Sequence, residues 1–284
     1  MIRNFFILLI STRKITSITF CIALVAIVLS AGCTNPEKQS NKSLIPEIIG
    51  SRGFLPMNAL PDSIALVPPP PVEGSIAYEL DKEINRNSFS LRGSPRWDFA
   101  AEMLSALPPE EINSFYCSLN AQITEQETPY LYALLFRAMD DIDFTDTAAK
   151  YKYNRPRPYV VNNEPKCIRV RHHKYKSYPS GGASWAMALI LSEIAPEKSD
   201  DILARGRAFG QDGVICNFSW QSDVNEGRIL GSIVVARLHA LPEFQAYIEA
   251  AKSELASAWA KDLPPIRDCD AENAVLFQGS LATF

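Results

Sequence analysis

Histidine is nearly missing from this chain: His172, His173 and His239 are the only three among 284 residues. The first two adjoin in a basic stretch, "RVRHHKYK", that reads as a solvated loop. The third closes an apolar run and reads as structural. A site built on several imidazoles is therefore not expected. Cysteine is also sparse, with no CxxC pair and no Cys/His spacing of the kind that holds zinc, so no metal and no cofactor are expected. Alternating apolar and polar residues, the mark of a half-buried strand, are almost absent. No apolar run reaches the ~20 residues of a membrane span. Positive charge is short as well: 28 Lys and Arg stand against 32 Asp and Glu, a formal charge of −4. Bulk attraction to nucleic acid or to an anionic membrane surface is thereby excluded.

What is present begins with a leader. Arg3, Arg13 and Lys14 precede an apolar segment from Ile15 to Leu29, which ends in Ser30-Ala31-Gly32-Cys33. A basic start, an apolar middle and small residues before a cleavage point describe an export signal over residues 1–32. The Ala-Gly-Cys ending resembles a bacterial lipobox, which makes Cys33 the expected lipidated first residue. The mature chain is then periplasmic and touches the membrane through that lipid alone. Loss of the leader removes three cations and no acid, so the formal charge moves to −7. Cys117, Cys167, Cys216 and Cys269 remain, an even number that suggests two disulfides in an oxidising compartment, with three pairings open. Cys216 lies inside the third of the stretches described below and Cys167 in the loop before the second, and pairing them would staple the two halves of the site.

Residues 33–65 read as a tether and a proline-rich arm, 66–262 as one helical domain and 263–284 as a tail. Apolar spacings of three and four run through 74–89, 95–107, 108–123 and 128–153, then through 182–195, 198–210, 222–240 and 242–263. Thr128 and Pro129 read as a cap and first-turn pair for the longest of these. The fold class expected is all-α, a single bundle with one long loop at 155–181.

Three stretches carry the chemistry: "KYKYNRPRP" from Lys150, "YPSGG" from Tyr178, and "GQDGVICNFSWQSDV" at 210–224. With "VPPPPVEGS", "RGSPRWDFAAE" and "WQSDVNEGRILGSIVVARLHALPEF", they resemble the bacterial class A non-specific acid phosphatases, within the type 2 phosphatidic acid phosphatase and vanadium haloperoxidase superfamily. The resemblance spans roughly residues 66–255. It implies a helical bundle and a reaction through a phosphohistidine. Carried over position by position, Lys150, Arg157, Ser180 and Gly181 match the phosphate-binding set, and Asp223 matches the acid that orients the nucleophile. The nucleophilic histidine is replaced by Ser219, the general-acid histidine by Gly182 and a phosphate-binding arginine by Gly213, with Asp212 beside it adding a carboxylate to the site.

The sizes of these losses decide the expectation. Removing a nucleophile from a coupled unit costs about 10⁶ in turnover, ~8 kcal/mol of barrier. A general acid is worth roughly 10²–10⁴ and one oxyanion donor roughly 10²–10³. The expectation is a pseudo-phosphatase or repurposed binding protein, its ligand small and either phosphorylated or zwitterionic. The alternative is an enzyme that works through Ser219 or a loop histidine. Asp223, without its imidazole, is expected to take Lys150 or Arg157 as partner, and Ser180 also reads as a helix N-cap.

Overall fold

The sequence from Gly182 to Ile194 is apolar on every side, which suits a helix only if neighbours enclose it. That helix, α4, sits at the centre of the fold. The computed structural model describes residues 53–106, 110–168, 176–261 and 265–278, and among these there are helices and no strand. The longer helices are α1 (Ile76–Ser88), α2 (Pro95–Ser105), α3 (Pro129–Tyr153), α4 (Gly182–Ile194), α5 (Ser199–Ile215), α6 (Gln221–Leu238), α7 (Pro242–Trp259) and α8 (Cys269–Gln278). Helix α4 packs most extensively on α5 and α6, while α3 packs on α7 and α4. Their shared core holds Leu131, Leu134, Leu135, Met187, Ile190, Leu191, Val234 and Phe244, each fully buried. Burial at these positions contributes about 1.5–3 kcal/mol apiece.

Helix starts follow ordinary chemistry, with informative exceptions. Ser75 and Ser94 cap α1 and α2 through their hydroxyls. Pro129 occupies the first turn of α3, but Thr128 does not cap it: its Oγ1 turns back to the Thr124 carbonyl. The Glu254 carboxylate of α7 instead accepts from the amides of Tyr130 and Leu131, at 3.1 and 2.9 Å, so a distant helix supplies the cap. The helix expected over 108–123 is broken into short turns, Ile112–Phe115 and Tyr116–Leu119, and stops at Asn120, whose φ of 55° is left-handed. Helix α5 runs five residues beyond its expected end, so Gly210 and Gly213 are helical.

The folded body extends past the expected boundaries at both ends. Phe54 and Leu55, assigned to the arm, are buried, and their amides donate to the Asp141 carboxylate of α3 at 2.8 and 3.0 Å. The expected tail contains α8, tied down by the Cys117–Cys269 disulfide and by Glu272, which faces Arg205 and Arg267. The second disulfide joins Cys167 to Cys216. The leader, Cys33 and the histidines at 172 and 173 lie outside the described residues.

Candidate active site

Helices α4 and α6 approach unusually closely because α6 carries glycine where they meet. A Cβ on Gly227 would stand 1.8 Å from the Ser180 carbonyl oxygen, and one on Gly231 would stand 2.6 Å from that of Gly182. The first turn of α4 is thereby held against α6. The amide of Ser180 donates to the Asp223 carbonyl at 2.9 Å, which ties the second stretch to the third. Gly181 is the N-cap of α4, with a left-handed φ of 77°. No side chain caps this helix, so the Ser180 hydroxyl does not serve as the N-cap. It lies 3.0 Å from the hydroxyl of Ser219 instead.

Around this start lies a cavity of about 190 Å³. Lys150, Ser180, Gly181, Gly182, Gly213 and Ser219 all line it, so the three stretches converge on one space. Arg157 is not among the lining residues. It is buried, its Nη1 donates to the Phe218 carbonyl at 3.1 Å, and its guanidinium lies 3.7 Å from the centre of the Phe218 ring. Burial pulls its pKa down to about 10, which leaves it charged at neutral pH.

The carboxylates are arranged differently from expectation. Asp212 turns away from the cavity and pairs with Arg96 of α2 at 2.6 Å, with Arg205 of its own helix at 3.9 Å. It adds nothing to the site because these two buried cations hold it. Asp223 takes neither Lys150 nor Arg157 as its ion-pair partner but Arg155, at 2.5 Å. It also accepts from the Ser177 hydroxyl and, at 2.8 Å, from the amide of Trp220. Arg155 bridges onward to Asp81 of α1 at 2.8 Å. Both Asp223 oxygens are thus committed within a buried network.

Three acids that the spacing of the motifs did not bring forward face the cavity: Glu111, Asp143 and Asp146. Asp146 pairs with Lys150 one turn along α3. The signal was visible in the acidic run "DDIDFTD", where Asp146 stands four residues before Lys150. Burial first, and then the charge of Asp143, pushes the Glu111 carboxyl up to about 7. Burial outweighs the pull of Lys150 and raises Asp146 to about 6, and it raises Asp143 as well. Among the described residues no histidine lines this space, since His239 lies elsewhere, with Glu193 and Phe244.

The positions where the resemblance implies catalytic side chains are tightly filled. A Cβ on Gly182 would meet the Gly227 carbonyl oxygen at 3.0 Å and Ile142 at 3.1 Å. One on Gly213 would meet the Ser219 hydroxyl at 3.1 Å.

A profile of the PAP2 superfamily matches residues 128–246. The non-specific acid phosphatase of Providencia stuartii is 40% identical over 201 residues, covering 69% of this chain and 81% of its own length. That of Salmonella typhimurium is 36% identical over 195 residues, covering 66% and 78%. The acid phosphatase of Zymomonas mobilis is 32% identical over 206 residues, covering 69% and 76%.

Proposed function

The chain belongs to the non-specific acid phosphatase family of the PAP2 superfamily, and from that premise we propose that it has kept the fold and given up the reaction. It is an exported, lipid-anchored domain whose old phosphate cavity binds a small molecule without cleaving it. One observation carries this reading. Among the described residues the hydroxyl of Ser219, at the nucleophile position, has the Ser180 hydroxyl as its only side-chain hydrogen-bond partner. A serine attacks phosphorus only when a base removes its proton. Asp223 is spent on Arg155, Ser177 and Trp220, among the described residues no imidazole faces the cavity, and Glu111, Asp143 and Asp146 make no hydrogen bond to the Ser219 hydroxyl. The leaving alcohol has no donor from position 182, where glycine stands. Two disulfides fit an oxidising compartment and so support export.

The test is turnover of p-nitrophenyl phosphate by the purified mature protein from pH 5 to 8, beside the Providencia stuartii enzyme. The expected kcat/KM lies about 10⁶-fold lower. Activity within a hundredfold of that enzyme, abolished by Ser219→Ala, would overturn the reading.

A further inference from the structure

The charged side chains that line the cavity are mostly acidic. Its charged lining consists of Glu111, Asp143, Asp146 and Lys150. Lys150 is engaged by Asp146 and also pulls on the Asp143 carboxyl, so three acids face a single lysine and the lining is acidic on balance. The guanidinium expected from position 213 is absent, and Arg157 points to the Phe218 carbonyl. A phosphate entering this space would meet three acids and one lysine that is already paired. A cation would meet the opposite.

The other wall donates hydrogen bonds. Gly182, Ala183 and Ser184 open α4, line the cavity and have no side-chain cap, so the first-turn amides lack intrahelical partners. The paired hydroxyls of Ser180 and Ser219 stand beside them. Among the described residues no group of three or more acids, histidines or cysteines is placed to hold a metal, which favours an organic cation.

We propose that the cavity selects a small hydroxylated primary amine, its ammonium against Glu111 and Asp143 and its hydroxyls against Ser180, Ser219 and the first amides of α4, and that it discriminates against phosphate. This rests on the non-hydrolytic reading of the same cavity. The site is the space where the three motifs converge; the carboxylates determine what it accepts. An ammonium beside Glu111 stabilises the ionised carboxylate, so binding releases a proton near neutral pH.

Calorimetric titration of the mature protein with glucosamine, glucose and inorganic phosphate at pH 7.5 tests the inference. Glucosamine is expected to bind at least tenfold more tightly than either of the others. Its affinity should fall tenfold or more in Glu111→Gln/Asp143→Asn, and should weaken in the native protein between pH 7.5 and 5 as Glu111 and Asp146 take up protons beside Lys150. In Asp146→Asn, which frees Lys150, phosphate affinity should rise. Equal binding of glucosamine and glucose, tighter binding of phosphate, or binding of none of the three overturns the ligand class. The non-hydrolytic reading would survive each of those outcomes, because only turnover of p-nitrophenyl phosphate bears on it.

Discussion

Arg155 shows how much of this site rests on single charges. It is 5% exposed and pairs with Asp81 and Asp223 at once, with the Ser222 hydroxyl 2.7 Å from its Nη1. Removing one member of a buried ion network strands its partners without water, at a cost of about 3–5 kcal/mol. Arg155→Met is therefore expected to lose that much in urea denaturation at pH 7. It should recover part of the loss at acidic pH, where the abandoned Asp223 carboxyl, already raised by burial, takes up a proton; an unchanged midpoint would show that the network is dispensable. The meeting of Lys150, Ser180, Gly182, Gly213 and Ser219 was legible in the sequence through the resemblance of its three motifs to the acid phosphatases, not through spacing alone. The sequence did not reveal where the charges point. Asp212 adjoins Gly213 in sequence, yet Arg96, 116 positions earlier, holds its carboxylate. Asp223 chose Arg155 over the two cations expected for it. Such choices depend on partners from other helices, which periodicity does not encode.

Helix α4 is positioned by contacts of backbone on backbone, and the glycines on α6 test this directly. At Gly227 an added methyl would overlap the Ser180 carbonyl, which no rotamer change relieves, so α4 and α6 must separate. Gly227→Ala is expected to cost about 3 kcal/mol, at the top of the usual overpacking range. In a domain of this size that is a fall of about 6–12 °C in Tm. At Gly182 the same methyl needs a shift of a few tenths of an ångström, and alanine gains about 1 kcal/mol of helix propensity over glycine. Gly182→Ala should stay within about 1 kcal/mol of the parent. Similar losses at both positions in thermal scans would contradict this account of the α4–α6 seam. Periodicity anticipated the long helices well, because each has an apolar face and a definite neighbour. It failed over 108–123, where a left-handed Asn120 stops the chain, and at both domain ends. There Phe54, Leu55 and α8 are secured by Asp141, a disulfide and Arg205 rather than by any local pattern.

At the scale of the whole molecule, buried carboxyls set the preferred pH. Glu111 is raised to about 7, Asp146 to about 6 and Asp141 to about 6, in each case chiefly by burial. All three protonate more readily in the folded chain than in the unfolded one, whose carboxyls titrate near 4. Between about pH 4 and 7 the folded state therefore holds more protons, and stability must fall as pH rises through that window. The stability these groups contribute is present below about pH 4 and is lost as pH passes their folded-state values. This is the reverse of the behaviour of carboxylates that ion pairs hold low. Each group is worth on the order of 1–2 kcal/mol after allowance for partial exposure and relaxation. Tm is expected to be higher near pH 5 than near pH 7.5 by several degrees, at about 2–4 °C per kcal/mol. Glu111→Gln, which is neutral at every pH and close in shape, should flatten the slope between pH 5 and 7.5 and make the variant the more stable protein at pH 7.5. A Tm that climbs steadily from pH 5 to 7.5 in the parent would mean that these carboxyls are ionised and compensated in the fold. The picture of a cavity with more acids than its one lysine can balance would fall with that result.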